Sequence, residues 1–520
     1  MDRSDVLIIG AGPTGLVLAL WLAKQSVKVR IIDKTDGPGT TSRALAVQAR
    51  TLELYRQLDL TEEILAKGHK VPGVNLWVEG EKKARVPFEA IAEDLTPYGP
   101  FIYPQDQHER LLIKHLAALG VSVERNTELL GFTDAGDHTV ASLRRADGQE
   151  VSCEANYLAG CDGARSIVRQ TAGIGFPGGT YQQVFYVADV DASGPALDGE
   201  LHVDMDEADF LAVFPLKGEG RARLIGTVRD ERAANAEGLK FEDVGDRAIQ
   251  HMKVRIRTVN WFSTYRVHHR VTEHFRKGRI FLLGDAAHIH SPAGGQGMNT
   301  GIGDAINLAW KLKAVLADQA SDALLDTYET ERRAFALKLV ATTDRGFTFA
   351  TAAGWAADFI RTRIVPVLVP TVFKFEAVRD YLFSAVSQIV INYRGSALSE
   401  GKAGDVKGGD RLPWAPTPSS DNFDTLRTID WQVHVYGTPS TELDDWCRRQ
   451  GLALHAFAWR EAYAKTGLLQ DAMYLLRPDT YVALAAERQD PETLRRYFAH
   501  HGYSLAHLPN QTLPASGSES

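Results

Sequence analysis

Cysteine is scarce in this chain of 520 residues, occurring only at Cys153, Cys161 and Cys447. Three cysteines cannot form a disulfide framework, and they include no C-x-x-C pair that could bind a metal or exchange disulfides. This usage is typical of a reducing compartment, so we expect a cytoplasmic protein.

Long blocks of charge of one sign are also missing. The chain has 58 basic and 66 acidic residues, for a net charge of −8, and shows no basic stripe of the kind that binds nucleic acid. With 44% hydrophobic and 24% charged residues, it has the composition of an ordinary globular protein that is large enough for two or three domains.

The sequence shows neither a nucleophile triad nor a cluster of metal ligands. His288 and His290 stand two positions apart but have no acid at ligand spacing, which favours a packing or capping role over a metal site. The pair His268 and His269 is expected at a strand end, in solvent.

One apolar stretch, residues 6–23, approaches the length of a membrane span. Glycines interrupt it, and residues 2–5 lack the positive bias of a signal peptide. The stretch therefore predicts a buried strand, a tight turn and a helix at 16–24, and we expect no stable membrane insertion.

The interrupting residues form a G-x-G-x-x-G fingerprint, and the strand predicted after the helix, 27–33, ends in Asp33. Gly10 permits the turn, Gly12 lets a pyrophosphate approach the backbone, and Gly15 allows close helix packing. The helix N-terminus then faces the phosphates with partial positive charge, and Asp33 can accept hydrogen bonds from a ribose. The fingerprint alone does not separate NAD from FAD.

Two further motifs lie far downstream. Residues 161–166 read CDGARS, and residues 284–299 contain GDAAH and GGQGMN after the apolar strand predicted at 279–283. An acid and a glycine-rich turn at one strand end can hold the polyol and the ring of a cofactor together.

With these three motifs in order, residues 1 to about 345 resemble the class A flavoprotein monooxygenases, the single-component aromatic hydroxylases of the p-hydroxybenzoate hydroxylase and phenol hydroxylase type. The resemblance implies that the acid of the second motif serves FAD and NADPH binding, and that Asp285 of the third binds the ribityl chain. Arg43 is similar to an arginine beside the flavin, and Gln105, four residues before Glu109, to a flavin-contacting glutamine. The residues expected to bind the cofactor are Gly10, Gly12, Pro13, Thr14, Gly15, Asp33, Lys34, Arg43, Gln105, Leu129, Asp162, Asp285, Pro292, Gly295, Gly297, Met298 and Asn299.

The expected fold class is α/β: a Rossmann-like FAD-binding domain with an inserted antiparallel β-sheet substrate domain and a C-terminal thioredoxin-like α/β domain. Residues 401–418 look like a linker rich in Gly, Asp and Lys. The predicted divisions are FAD-binding parts at 1–73, 101–180 and 273–345, a substrate-domain hairpin at 74–100, a substrate-binding β domain at 181–272, a helical connection at 346–400, the thioredoxin-like domain at 401–509 and a disordered tail at 510–520.

The resemblance implies an enzyme that hydroxylates a phenolic or polycyclic aromatic substrate with O2 through a C4a-hydroperoxyflavin. No second fingerprint is present, so NADPH or NADH is expected to dock transiently. Baeyer-Villiger, epoxidase or reductase activity on the same scaffold stays open, as does a non-catalytic flavin-binding protein.

Tyr186, Phe210 and Phe214 are candidates for the substrate face, although core packing alone would explain them. Arg165 is expected either to meet the nicotinamide cofactor or to form a structural ion pair. No residue is assigned as the base, and a homodimer is one open alternative for the oligomeric state.

Overall fold

The computed structural model describes residues 3–39, 44–88, 95–204, 210–228, 238–244, 246–290, 295–351, 380 and 383–505. Predicted site residues Arg43 and Pro292, most of the helical connection and the predicted tail lie outside these ranges. The chain divides into two compact units, one of residues 1–310 with 328–391 and one of residues 311–327 with 392–520.

The first sheet of the larger unit carries all three motifs. Its central strands are parallel, in the order Ile280–Leu282, Glu150–Gly160, Ser4–Ile9, Val29–Ile32 and Val123–Glu124. Ile9 pairs with Gly160, which pairs in turn with Leu282. Because the carboxyl ends of parallel strands meet at one edge, this register brings together the turns that begin at residues 10, 161 and 283. The strands Glu128–Asp134, Thr139–Arg144 and Arg276–Lys277 extend the sheet in antiparallel fashion.

The stretch that resembled a membrane span forms the strand Ser4–Ile9 and the helix Pro13–Lys24, whose residues 15–22 are all buried. No helix in the described part of the chain combines the length and apolar character needed to cross a membrane.

A second sheet of the larger unit contains eight strands among the described residues. These strands form seven neighbouring pairs. The pair of Leu201–Asp204 with Gly73–Val78 is parallel, so the expectation of an antiparallel sheet was wrong for this pair. In sheet order the strands are His288–Ile289, Arg255–Val271, Gly178–Ser193, Arg221–Val228, Leu211–Pro215, Leu201–Asp204, Gly73–Val78 and Glu81–Pro87. Trp77, Tyr186 and Leu224 belong to a buried core cluster of this sheet, to which Met252 after the helix Asp246–His251 also contributes.

Short elements complete the larger unit. The strands Ala46–Val47, Phe101–Ile102 and His69–Lys70 form a small sheet. The helices are Ala49–Tyr55, Thr61–Lys67, Gln105–Ala118, Ile167–Thr171, Gly297–Leu316, which continues into the smaller unit, and Asp326–Thr351, which starts there.

The smaller unit is a mixed α/β body. Its sheet order is Val406–Lys407, Glu400–Ala403, Val482–Ala486, Met473–Leu476, Gln432–Tyr436 and Ala453–Phe457, and its helices include Thr441–Gln450, Glu461–Lys465 and Pro491–His500. The linker prediction for 401–418 was wrong, because two strands form there. Gly401 has φ +73°, and a Cβ at this position would lie 2.1 Å from the carbonyl oxygen of Ala485. The glycine therefore serves close strand packing.

Candidate active site

The fingerprint turn packs directly against the second motif. Gly10 has φ +102°, and a Cβ on it would lie 2.4 Å from the carbonyl oxygen of Cys161. A Cβ on Gly15 would lie 2.0 Å from the carbonyl oxygen of Gly10. Any side chain at either position would therefore push the helix away from the strand ends, so both glycines are required by packing.

Gly12 differs, because a Cβ built on it meets nothing within 4 Å. It precedes the helix Pro13–Lys24 without a capping side chain, and Gly12, Pro13 and Thr14 line a cavity. Uncapped N–H groups at the start of a helix, facing open space, fit an anionic group such as a pyrophosphate.

Asp33 is held beside this turn. Its Oδ2 accepts a hydrogen bond from the Ala11 amide at 2.6 Å, and its Oδ1 accepts one from the Thr35 amide at 2.8 Å. Lys34 next to it is exposed. The carboxylate thus lies at the strand end where the sequence predicted a ribose partner.

Gln105 is the first residue of the helix Gln105–Ala118 and lines the cavity. Its Nε2 donates to Glu109 Oε1 at 2.8 Å, while Glu109 Oε2 accepts from the Gly39 amide at 2.9 Å. Burial raises the pKa of Glu109. Glu109 therefore fixes both Gln105 and the loop just ahead of Arg43.

In the second motif, the Asp162 carboxylate is bonded to backbone amides that follow it closely in the chain. Asp162 Oδ2 accepts from the amides of Ile167 at 2.7 Å and Val168 at 3.2 Å, and burial raises the pKa of Asp162. Arg169 donates to the Ala286 carbonyl at 3.0 Å and so ties this motif to the third. Arg165 is exposed and forms no ion pair with any described residue.

The third motif places Asp285 at the cavity wall, exposed. Behind it lies a buried network that the sequence did not predict. Asp304 accepts from Arg332 Nε at 2.7 Å, bonds His288 Nε2 at 2.7 Å, and accepts from the Gly284 amide at 3.0 Å. Burial alone would raise the pKa of Asp304, but Arg332, His288 and the amide outweigh it and lower the pKa. His288 is thus a partner of a structural carboxylate.

Asn299 was predicted to contact the cofactor, but it is 1% exposed and does not line the cavity. Its Oδ1 accepts from the Gln48 amide at 2.9 Å and from Thr51 Oγ1 at 2.8 Å, and its Nδ2 donates to the carbonyl of Ala46 at 2.9 Å. The side chain therefore anchors the loop, whereas its neighbours Gly295, Gly297 and Met298 line the cavity. Leu129 is buried in the strand Glu128–Asp134, away from the cavity lining.

The cavity has a volume of about 1050 Å3 and lies within the larger unit. One part of its wall comes from the three motifs and the other from the second sheet. The second part includes the aromatic residues Phe214, Trp261, Phe262 and Tyr265 of this sheet, together with Phe88 and Phe210, which lie next to its strands.

Two expectations about this wall were wrong. Tyr186 is 1% exposed and packs in the core cluster with Trp77 and Leu211 instead of lining the cavity. His268, expected in solvent, is half-buried, lines the cavity and bonds Thr180 Oγ1 through Nδ1 at 2.7 Å. The alternating strand pattern marks inward residues but does not say which of the two faces meets the cavity.

Comparison with known proteins agrees with this geometry. The family described as "FAD binding domain" matches residues 3–343. The chain is 36% identical over 419 residues to 6-methylpretetramide 4-monooxygenase of Streptomyces rimosus, covering 78% of this chain and 73% of that protein. It is 30% identical over 448 residues to pentachlorophenol 4-monooxygenase of Sphingobium chlorophenolicum, covering 84% and 80%.

A solved structure of anhydrotetracycline hydroxylase from Streptomyces rimosus superposes with a TM-score of 0.77 at 28% identity, covering 97% of this chain and all of that one. The open space at Gly12 and the acid at the third strand end fit the phosphates and polyol of FAD. Family match, relatives and site together establish that the chain belongs to the class A FAD-dependent aromatic hydroxylases.

Proposed function

We propose that this protein hydroxylates a polycyclic phenol, consuming O2 and NADPH or NADH, with FAD held by the three motifs. The observation that carries the proposal is a cavity that runs from the fingerprint turn to an aromatic wall. Bound flavin supplies the reduction of O2 and the transfer of one oxygen atom to the ring.

The size of the cavity favours a substrate larger than one ring. Sites for small ligands usually have about 300–1,000 Å3, and this one has about 1050 Å3 to share between a flavin ring and a substrate. Flat aromatic side chains such as Phe214 and Trp261 offer stacking surfaces to fused rings. The relatives that act on 6-methylpretetramide and anhydrotetracycline support the same substrate class.

We further propose that His268 accepts the phenolic proton of the substrate, which makes the ring a better nucleophile. Burial, with Arg270 and His269 adding to it, lowers the pKa of His268, so the imidazole is neutral at neutral pH. Since its Nδ1 is bonded to Thr180 Oγ1, Nε2 is the nitrogen left to meet the substrate when Nδ1 carries the proton. Arg266, which also lines the cavity, adds positive charge near a phenolate.

For the cofactor, we propose that Gly12 to Thr14 hold the phosphates, Asp33 the ribose, Asp285 the ribityl chain and Gln105 the flavin ring. Substituting Asp285→Ala should yield protein with little bound yellow cofactor, measured by the absorbance ratio of flavin to protein after purification. Asp147→Ala is the matched control, because Asp147 is exposed in a hairpin turn away from the cavity. Full flavin occupancy in the Asp285 variant would exclude the proposed ribityl contact.

The reaction is tested by screening polycyclic phenols for faster oxidation of NADPH and NADH, followed by mass spectrometry of products formed under ¹⁸O2. One labelled atom in a ring hydroxyl supports the proposal, whereas a labelled lactone or epoxide would replace it with another oxygenation on the same scaffold. No substrate-stimulated oxidation of either nucleotide with any phenol would argue against it.

The role of His268 is tested with His268→Gln, using His274→Gln as the control, because His274 is exposed and does not line the cavity. We expect the first variant to hydroxylate slowly at neutral pH and to recover as the pH rises toward ionisation of the free phenol. An unchanged pH profile would assign the deprotonation to another group.

A further inference from the structure

The smaller unit holds a carboxylate and two imidazoles in one place, where two of its elements end. Glu400 opens the strand Glu400–Ala403, His500 is the last residue of the helix Pro491–His500, and His501 follows it. The helix is fixed to the chain just before that strand, since buried Tyr497 donates its hydroxyl to the Leu398 carbonyl at 2.9 Å. The three side chains therefore stand on a scaffold that other contacts position.

The ligand atoms are already close to coordination distance. His500 Nδ1 lies 3.2 Å and His501 Nε2 lies 2.8 Å from the same atom, Glu400 Oε1. One ligand atom from each of the three residues falls within 4.8 Å of the others. A tetrahedral zinc ion with bonds of about 2.0–2.1 Å separates neighbouring ligand atoms by about 3.3 Å, so only small side-chain shifts are needed.

The charges around Glu400, His500 and His501 favour a bound cation. Among the described residues, the Glu400 carboxylate lies within 4 Å of these two imidazoles and of no lysine or arginine nitrogen. The carbonyl end of a ten-residue helix adds partial negative charge.

We propose that Glu400, His500 and His501 bind one divalent transition-metal ion of the zinc class. The exposed side chain of His500 leaves the fourth coordination position to water. In the bound state, the imidazole nitrogen that faces Glu400 carries no proton and binds the ion, and the other ring nitrogen carries the proton. The ion would join the first strand residue to the end of the helix and so stabilise the smaller unit.

The test uses full-length flavin-loaded protein without a polyhistidine tag, stripped with a chelator and titrated with ZnCl2 by calorimetry. We expect one zinc ion per chain, a higher melting temperature with zinc, and visible absorption bands when CoCl2 replaces ZnCl2. His500→Ala and Glu400→Gln should each weaken zinc binding by at least about tenfold, since even the outer partners of metal ligands contribute about 10–100-fold.

His274→Ala is the matched control, because His274 Nδ1 lies 3.2 Å from Glu329 Oε1 but no second imidazole completes a cluster there among the residues that the structure describes. Flavin absorbance and circular dichroism verify that each variant is folded. Absence of stoichiometric zinc binding, or equal affinity in the two ligand variants and the unaltered protein, would overturn the proposal and identify the cluster as a hydrogen-bonded ion pair only.

Discussion

Removing the charge of Asp304 should destabilise the larger unit without emptying the flavin site. Asp304 is fully buried, and its main ionic partner Arg332 is 1% exposed. In Asp304→Asn the side chain keeps its shape and can still accept a hydrogen bond from the Gly284 amide, whereas Arg332 stays charged at every accessible pH. The substitution therefore leaves an uncompensated cation in the core.

The magnitude follows from the number and length of the contacts. Three polar contacts of 2.7, 2.7 and 3.0 Å converge on this carboxylate, and breaking a buried pair by removing one partner costs about 3–5 kcal/mol. We expect the lower end, about 3 kcal/mol, because Arg332 also donates to the Thr300 carbonyl at 2.9 Å. For the larger unit of residues 1–310 and 328–391, an unfolding entropy of about 2.1 cal/mol/K per residue makes this a fall in melting temperature of about 4 °C.

Thermal unfolding followed by circular dichroism, with flavin occupancy measured by absorbance, checks the prediction. The double variant Asp304→Asn with Arg332→Met should lose less stability than the sum of the single changes, since it removes both charges. The pKa of Asp304 is lowered in the folded protein, so its stabilisation is present above the unfolded pKa of about 3.9 and is lost in stronger acid. A melting temperature unchanged at pH 7, or strictly additive losses, would refute this account of the network.

Gly15→Ala should abolish soluble flavin-loaded protein, because the new Cβ would lie 2.0 Å from a backbone oxygen. In contrast, Gly12→Ala should melt almost like the unaltered protein but bind FAD at least about tenfold more weakly in a fluorescence titration, since its Cβ would enter only open space. Phe214→Ala should raise the KM for an aromatic substrate by roughly tenfold, and Tyr186→Phe should leave that KM unchanged, in steady-state assays of NADPH oxidation. Glu63 has its pKa lowered to about 2 by two lysines and a histidine, so the stability that these contacts give is present above the ordinary value of 4.5 and fades toward pH 2; Glu63→Gln should remove this acid dependence in pH-resolved melting curves.

Local sequence patterns predicted the turns that meet at one end of the parallel strands. Each of three features combines a tight backbone turn or strand end with an adjacent strand or helix: the fingerprint, the acid at the end of the second strand, and the GD turn. The structure places all three at one sheet edge. Asp304 carries no such local signal, because it sits inside the helix Gly297–Leu316 and meets its cationic partner 28 positions later. Pairing at that separation depends on tertiary packing.

Glycine was informative in one region and misleading in another for the same physical reason. In the fingerprint, Gly10 permits close approach to Cys161 at the start of the second motif. The G-x-G-x-x-G pattern predicts that glycine is needed there for close packing. In residues 401–418 the approach is to Ala485, which belongs to no recognised motif, so an identical requirement for space looked like linker composition. Only the identity of the opposing backbone separates the two cases.

Thr14 shows why motifs that are recognisable singly still depend on one another. A Cβ on Gly284 would lie 2.7 Å from Thr14 Oγ1, and one on Gly301 would lie 2.3 Å from the same oxygen. One threonine of the first motif therefore sets the residue type at the third motif and at the helix behind it. Because all three positions pack at this edge of the sheet, a larger side chain at any of them would displace the turn that carries Asp285. The spacing of the motifs reveals the ligand, whereas this mutual constraint on their side chains arises only when the strand ends meet.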